Sequence, residues 1–392
     1  MGSGPTLNSI TIIKINKNYI IWPLIAAPIL VGVFFIFRQG VIGVKSNQSA
    51  GLSEKKVLRI STPETVRGIY LTSSSGGSSK KINEVIGLAK SSGLNSVIID
   101  VKDASGYVAY DSAVPQVEEY KIERIGIEDL GLLLASLREN QIYAIARMTV
   151  FQNSALVRAR PDWAVKNKYT GRPWADHRGL LWIDPSNHEA WKYYSAIAKE
   201  IFAAGFDEIN FDYIRFPSDG DMSALVFPAW SEGLTRPQIL KEFYKYLRSE
   251  LGDAKMSIDM FGFVTTRTGD FGVGQVMEDA FEYFDYISPM VYPSHYPATF
   301  LSFANPAEHP YDIVYYALKE GSERLKIFRE KNLNLHPRIR PWLQDFDLGA
   351  DYTPAMVSSQ IKATQDALGE QYKGFMLWNA RNVYSEGVFG KK

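Results

Sequence analysis

Apolar residues recur along this chain in two alternating patterns. Short segments, in which apolar and polar positions alternate or apolar residues run together, indicate strands, whereas longer segments with a 3.6-residue period indicate helices. Strands are predicted at residues 66–72, 95–102, 143–150, 207–217, 255–261, 286–292, 338–344 and 374–379. Helices are predicted near residues 80–92, 127–140, 186–204, 236–251, 273–283, 310–331 and 353–368.

This alternation of strands and helices predicts the fold class. Eight strands, seven of them followed by a helix, are typical of an α/β protein with a (β/α)8 TIM barrel, here over residues 66–388. A doubly wound open sheet is the alternative fold. It requires a glycine-rich phosphate-binding turn after the first strand, and the glycines at residues 74–78 lack the spacing of that turn.

The N-terminal part of the chain has a different pattern. Residues 19–37 carry no charge and are long enough to cross the core of a bilayer, which predicts a single transmembrane anchor. The flanking lysines favour a cytoplasmic tail at residues 1–18, a linker at 38–65 and an extracytoplasmic domain beyond it. A cleaved signal peptide is the alternative, although no small-residue cleavage site follows the apolar segment directly.

The composition limits the classes of function. The 43 basic and 43 acidic residues balance, so nothing indicates a nucleic-acid partner. The absence of cysteine excludes disulfides, thiolate metal sites and cysteine nucleophiles. The 5 histidines are scattered and match no zinc motif, so neither a metal nor another cofactor is predicted. Aromatic residues make up 13% of the chain, which suits stacking on sugar rings and equally suits a large aromatic core.

The fourth predicted strand carries unusual polar residues. Asn210, Asp212 and Arg215 lie among aromatic and aliphatic residues, close to the end of the strand. A carboxylate in such surroundings is costly to bury unless it is paired or used in chemistry. Because reaction sites of TIM barrels lie at the C-terminal ends of the strands, a catalytic role for Asp212 is predicted. A structural ion pair between Asp212 and Arg215 is the alternative.

Other strands also end in polar or aromatic residues. The candidates are Asp100 and Lys102 on the second strand, Arg147 on the third, Asp259 on the fifth, Tyr292 on the sixth, Gln344 and Asp345 on the seventh, and Trp378 on the eighth. Strand parity places Asp100 with Lys102, and Asn210 with Asp212. If these faces point into the barrel, at least three carboxylates converge at its C-terminal end.

Converging carboxylates beside aromatic rings are the groups that glycosidic bond cleavage requires. One carboxyl group protonates the leaving oxygen, and the other attacks the anomeric carbon or activates water. Trp378 is a candidate platform for a sugar ring, or alternatively an aromatic residue of the core. Asp100 is equally well explained by a salt bridge to Lys102 or Arg147. The long loop at residues 151–185, which holds three tryptophans, is predicted to be a lid or substrate wall.

Four motifs carry a resemblance to a known family: Arg67-Gly-Ile-Tyr70, Ile98-Ile-Asp-Val-Lys-Asp103, Phe206-Asp-Glu-Ile-Asn-Phe-Asp-Tyr-Ile-Arg-Phe-Pro217 and Ser288-Pro-Met-Val-Tyr-Pro293. Together they resemble the bacterial putative glycosyl hydrolase domain family, over about residues 66–388. The resemblance implies a TIM barrel related to retaining glycosidases, and carbohydrate hydrolysis as the class of activity.

The resemblance also implies roles for individual residues. Asp212 is the expected nucleophile, and either Asp259 or Asp345 is the expected acid. The expected contacts to a polysaccharide or oligosaccharide substrate are Tyr70, Asp100, Lys102, Arg147, Asn210, Arg215, Tyr292, Gln344 and Trp378. Two alternatives remain open at this point: a non-catalytic carbohydrate-binding barrel and a structural barrel of the cell envelope.

Overall fold

The computed structural model describes residues 58–390, which form a closed barrel of eight parallel strands. Each strand pairs with the next, and the eighth pairs with the first. The first seven strands are followed by helices, as the TIM-barrel prediction requires. The strands are Val66–Leu71, Ser96–Lys102, Tyr143–Thr149, Glu208–Asp212, Met256–Phe261, Tyr286–Met290, a seventh in two parts (Arg338–Ile339 and Trp342–Gln344), and Gly374–Trp378.

Helices surround the barrel and bury one face each against it. Several begin at a side-chain cap; Thr235, for example, forms a reciprocal capping box with Gln238. The helix that precedes the fourth strand ends at Gly205, whose φ of 114° only glycine adopts easily. The helices are Ser73–Gly76, Ser79–Ser91, Pro115–Glu119, Leu130–Glu139, Ser154–Ala159, His188–Ala204, Arg236–Leu251, Met277–Phe281, Pro310–Lys331 and Pro354–Leu368.

Two hydrophobic clusters form the core. The larger one lies between the barrel and its helices, and its strand residues include Ile99, Met148 and Leu343. The smaller one fills the barrel interior and consists of Tyr70, Ile98, Tyr143, Ile145, Tyr292, Trp342 and Met376. Because successive strand residues point to opposite faces, membership of these clusters shows which residues point into the barrel.

A basal cluster of polar residues lies inside the barrel, near the start of its strands. Glu208 and Arg340 form an ion pair in which neither side chain is exposed to solvent. Glu208 also accepts hydrogen bonds from Ser257 Oγ at 2.6 Å and from Tyr143 Oη at 3.1 Å. We define the basal cluster as these four residues.

Residues 58–65 contact this same end of the barrel. The backbone N–H of Ile60 donates to Asp207 Oδ1 at 2.7 Å, and Thr62 Oγ1 lies 3.1 Å from Tyr143 Oη. Arg59 donates to backbone carbonyls of the helix and turn before the fourth strand. The end of the predicted linker is therefore irregular in structure but packed on the barrel.

The structure corrects one predicted helix and does not describe most of the N-terminal segments. The helix predicted at residues 273–283 is shorter, Met277–Phe281, because Gly272 and Gly274 adopt positive φ angles before it. The tail at 1–18, the anchor at 19–37 and most of the linker lie outside the described residues. Among residues 58–390, no helix is long and apolar enough to cross a membrane.

Candidate active site

Arg147 lies at the centre of a cluster of carboxylates. Its guanidinium forms ion pairs with Asp100 on the second strand and Asp212 on the fourth, and its Nε lies 3.7 Å from Asp259 Oδ2 on the fifth. Strand register explains the grouping, since Arg147 lies opposite Asp100 on one side and Asn210 on the other. The predicted convergence of three carboxylates is therefore present in the structure.

Asp212 is held at the end of the fourth strand by two contacts. One carboxylate oxygen pairs with Arg147, and the other accepts the N–H of Tyr213 at 2.6 Å. Tyr213 has a φ of 56°, in the left-handed region that costs a non-glycine residue about 1 kcal/mol or more. The ion pair between Asp212 and Arg215, the alternative to a catalytic role, does not form; Asp212 pairs with Arg147 instead.

Asp259 is the most deeply buried carboxylate of the cluster. Its Oδ1 accepts hydrogen bonds from Trp342 Nε1 at 2.7 Å and from Asn210 Nδ2 at 2.8 Å. Burial, followed by the negative charge of Asp212, raises the pKa of Asp259 well above its usual value. The same site thus holds one carboxylate paired with a cation and one that favours its protonated form.

This raised pKa predicts how stability depends on pH. An unfolded aspartate has a pKa of about 3.9. Above that pH the unfolded chain has lost the proton that the folded Asp259 still binds, so stability falls as pH rises towards the folded pKa. Asp259→Asn removes this loss, because asparagine does not titrate. Relative to the wild type, the variant should gain up to about 1.4 kcal/mol in free energy of unfolding per pH unit above about pH 4.

Urea unfolding at several pH values between about 5 and 7 measures this difference. Asp253→Asn is the matched control, because Asp253 is an exposed aspartate at the opposite end of the barrel. A difference between Asp259→Asn and wild type that stays constant over this range would contradict the raised pKa.

A cavity of about 520 Å³ opens beside Asp212 and Asp259. Its wall combines these carboxylates with cations and with several aromatic rings. The lining residues are Arg147, Arg178, Asp212, Tyr213, Arg215, Asp259, Phe261, Gly262, Phe263, Met290, Tyr292, His295, Tyr296, Trp342 and Trp378. A larger groove of about 790 Å³ lies at the other end of the barrel, away from the carboxylate cluster.

Trp378 forms part of this wall and is itself held in position. Its ring stacks on Tyr70, with centroids 3.9 Å apart and planes inclined by 23°. The Arg147 guanidinium lies 4.9 Å from the centroid of the Trp378 ring. Tyr70 in turn donates to Asp100 Oδ2 at 2.5 Å. Tyr70 and Asp100 therefore contact Trp378 and Arg147, respectively, but do not themselves border the cavity.

Asn210, a predicted substrate contact, is completely buried and does not line the cavity. It donates to Ser257 Oγ at 3.0 Å as well as to Asp259. Asn210 is therefore placed to orient Asp259 and not to contact a sugar. Tyr292, Arg215 and Trp378 line the cavity, as their predicted role requires.

Lys102 does not share the face of Asp100, contrary to the parity prediction. A β-bulge between the two residues shifts the register, so that Lys102 lies opposite Met148, which packs outside the barrel. Its Nζ donates to Thr149 O at 2.8 Å. Burial lowers the pKa of Lys102 to about 7, but this amine is remote from the cavity wall.

Asp345 and Gln344 also lie outside the cavity lining. Leu343 packs outside the barrel and Trp342 inside it, so the alternation along the strand gives Asp345 the outward parity. Asp345 accepts hydrogen bonds from Ser385 N at 2.9 Å and from Ser385 Oγ at 2.8 Å. Gln344, the last residue of the seventh strand, accepts from Ser294 N at 3.2 Å and donates to Phe346 O at 2.9 Å, so it links the loops after the sixth and seventh strands. Of the two acid candidates, only Asp259 borders the cavity with Asp212.

The loop at residues 151–185, for which a lid or a substrate wall is predicted, has secondary structure of its own. It contains the helix Ser154–Ala159, and its tryptophans at 163, 174 and 182 are all buried. A short strand at Lys166–Asn167 pairs with Leu225–Val226 and ties the loop to the one after the fourth strand. The loop is a packed layer, from which only Arg178 reaches the cavity wall.

Several lining residues were not among the predicted site residues. Trp342 lies on the inward face of the seventh strand, and its position two residues before Gln344 could have indicated this. Tyr213, Phe261, Phe263 and Tyr296 follow strand ends, where aromatic side chains are common in cores as well as in sites. Within residues 58–390, no group of three or more histidine and acidic side chains is arranged to hold a metal ion.

The chain belongs to the family described as "Putative glycosyl hydrolase domain", whose model matches residues 68–384. This confirms the resemblance carried by the four motifs. The fold and the family together define a glycoside hydrolase-like TIM barrel.

Two solved structures illustrate what this chain is similar to. A hypothetical protein from Ruminiclostridium thermocellum is 34% identical, over 49% of this chain and 96% of that one, with a TM-score of 0.46. The PgaB (BpsB) glycoside hydrolase domain from Bordetella bronchiseptica is 15% identical, over 80% of this chain and 94% of that one, with a TM-score of 0.55. A search of curated protein sequences finds no match.

Proposed function

We propose that this protein hydrolyses glycosidic bonds of a cell-surface or environmental polysaccharide, with Asp212 and Asp259 as the catalytic pair. The observation that carries the proposal is that both carboxylates border one cavity at the C-terminal end of the barrel, on either side of Arg147. TIM-barrel active sites lie at that end. The cavity volume of about 520 Å³ suits a site for a small ligand or a few sugar units.

The different surroundings of the two carboxylates suggest their roles. Asp259 favours its protonated form, so it is suited to donate a proton to the glycosidic oxygen as the bond to the anomeric carbon breaks. Asp212 forms an ion pair with Arg147 and borders the cavity, so it is placed to attack the anomeric carbon or to accept a proton from a water molecule. Trp378 and Tyr292 offer ring faces or edges to the sugar.

Carbohydrate binding without turnover is a second candidate function. It is favoured by the contacts of Arg147 with Asp100, Asp212 and Asp259, because one cation then partly neutralises the carboxylates needed for chemistry. The two functions predict different results for the same protein, since binding alone releases no new reducing ends.

Incubation with a panel of polysaccharides, followed by measurement of new reducing ends, tests the proposal. Hydrolysis of a glycan by the wild type, lost in both Asp212→Asn and Asp259→Asn, supports it. Binding of a glycan that is never cleaved and is unchanged in Asp212→Asn favours the second candidate and contradicts the first.

The proposal includes the location of the protein in the cell. The apolar segment at residues 19–37 supports a membrane-anchored protein with its barrel outside the cytoplasm, where polysaccharides are accessible. Protease protection in intact cells, followed with an antibody against the barrel, distinguishes an external barrel from an internal one.

Trp342→Phe should move the pH dependence of hydrolysis. The hydrogen bond from Trp342 Nε1 favours the ionised form of Asp259, so its loss raises the pKa of the proposed acid further. A hydrogen bond to a charged group contributes about 1.5–3 kcal/mol, which corresponds to about 1–2 pH units. The alkaline limb of the kcat/KM profile should shift upwards by about that amount.

Trp230→Phe is the control for this shift, because Trp230 Nε1 donates to Leu234 O at 2.9 Å and does not border the cavity. Its profile should keep the wild-type midpoint. An alkaline limb that stays in place or moves down in Trp342→Phe would show that Asp259 is not the acid.

A further inference from the structure

Arg215 is a buried cation beside the proposed catalytic pair. The residue is only 8% exposed. Within residues 58–390 no carboxylate lies at ion-pair distance from it, and its hydrogen bonds there use Nη1 alone, to Phe216 O and Ser218 Oγ at 3.1 Å each. A buried charge without a partner is costly, so its position requires an explanation.

Three aromatic rings hold the Arg215 guanidinium in place. Its central carbon lies 4.7 Å from the centroid of Trp182, 5.1 Å from Tyr213 and 4.8 Å from Phe261. Tyr213 and Phe261 border the cavity together with Arg215. Cation–π contacts stabilise the guanidinium without neutralising its charge, so it remains available to an anion. The left-handed turn at Tyr213 places residues 213 and 215 on the same wall.

The cations of the cavity differ in how far they are neutralised. Arg147 already contacts three carboxylates. Arg178 is exposed at the cavity rim and, like Arg215, forms no ion pair with another described residue. One side of the cavity therefore carries the carboxylate cluster, and the loops after the third and fourth strands add two positive charges that form no ion pair among the described residues.

We infer that Arg215 binds an anionic group of the saccharide, so that the substrate class is an acidic polysaccharide. This inference rests on the proposed function and specifies its substrate. A carboxylate, sulfate or phosphate would accept hydrogen bonds from the guanidinium nitrogens that have no partner among the described residues, and would compensate the buried charge. Hydroxyl groups of a neutral sugar accept hydrogen bonds but leave that charge uncompensated.

Binding of matched polymers tests this inference. The probes are polyglucuronic acid and its carboxyl-reduced neutral form, dextran sulfate and dextran, and poly(ribitol phosphate). Binding is measured in the Asp212→Asn background, so that turnover does not deplete the probe, and at about 0.15 M salt, which screens non-specific surface attraction. We expect at least one anionic polymer to bind about 10-fold or more tightly than neutral polymers, and the preferred polymer identifies the anion.

Arg215→Gln, added to this background, should reduce the preference by about 10- to 100-fold. Arg215→Lys should retain part of it, because lysine keeps the charge without the planar fork. Arg172→Gln is the matched control, since Arg172 is exposed and does not border the cavity. Competition with glucuronate, sulfate or phosphate should reproduce the loss without any substitution at Arg215, so a folding defect cannot explain both results.

Equal binding of anionic and neutral polymers, or no binding of any of them, would overturn the inference. A preference that survives in Arg215→Gln would overturn it as well. These outcomes are separate from those of the proposed function. Hydrolysis of neutral glycans without an anionic preference would contradict the role of Arg215 but not the proposed hydrolysis. An anionic preference without any hydrolysis would contradict the proposed hydrolysis but not the anion site at Arg215.

Discussion

Asp212→Asn is expected to lower kcat for glycan hydrolysis by about 1,000-fold or more, with a much smaller change in KM. The amide cannot attack the anomeric carbon or accept a proton from water, and positioned acid–base or nucleophilic groups contribute effects of this size. The substitution keeps the shape of the side chain, and its oxygen can still accept the N–H of Tyr213. Binding should therefore persist while turnover is lost.

Two further Asp→Asn variants serve as comparisons for Asp212→Asn. Asp345→Asn should reduce turnover far less than Asp259→Asn, because Asp345 faces Ser385 and does not border the cavity. Asp253→Asn, at the opposite end of the barrel, serves as the control for an Asp→Asn change. Thermal unfolding of each variant establishes that it is folded. Full turnover by folded Asp212→Asn would disprove its catalytic role.

Arg340→Met is expected to lower the free energy of unfolding by about 3–5 kcal/mol. The substitution leaves Glu208 buried with only Ser257 and Tyr143 as partners, and removing one member of a buried ion pair typically costs this much. Urea unfolding of the wild type and the variant measures the loss. The effect should fall mainly on stability, because neither Arg340 nor Glu208 borders the cavity.

The double variant Arg340→Met with Glu208→Leu separates charge from packing. Replacing both members of a buried pair with apolar residues is often neutral, so the double variant should be more stable than Arg340→Met alone. Lys319→Met is the surface control, because its pair with Glu323 is exposed and should contribute about 0–1 kcal/mol. A loss below about 1 kcal/mol in Arg340→Met would show that the buried pair contributes little.

The barrel itself was predictable from the pattern of apolar residues. Each strand segment is apolar enough to be buried on both faces, and each long helix has one apolar stripe, so local periodicity and global fold agree. The exception is the helix before the sixth strand, where glycines at 272 and 274 occupy turns that the apolar pattern does not reveal. Strand order followed from chain order, because parallel neighbours with helical crossovers are the rule in this fold.

The site was predictable only in part. Asp212, Asp259 and Arg147 could be grouped, because strand ends converge in a barrel and parity places their side chains inside. The bulge that turns Lys102 outward depends on backbone pairing that no local residue pattern specifies. The partner of Asp212 was also missed, since Arg215 is close in sequence whereas Arg147 becomes its neighbour only through strand pairing.

The long loop after the third strand shows a different limit. Its length and its tryptophans predicted a lid or a substrate wall, because structureless loops of that size are usually functional. The structure instead buries Trp163, Trp174 and Trp182 in the core. Aromatic residues in a loop predict that their rings are buried. Their spacing does not distinguish burial against a bound ligand from burial in the protein core.

The segment at residues 58–65 bears on where this protein's domain begins. The family model starts at residue 68, and the first strand starts at Val66. Yet Ile60 is hydrogen-bonded to Asp207, and Thr62 to Tyr143. Residues that precede both the family model and the first strand therefore pack against the end of the barrel. A domain is a set of residues whose burial depends on one another, and by that definition this one begins no later than Arg59, which donates to Phe206 O.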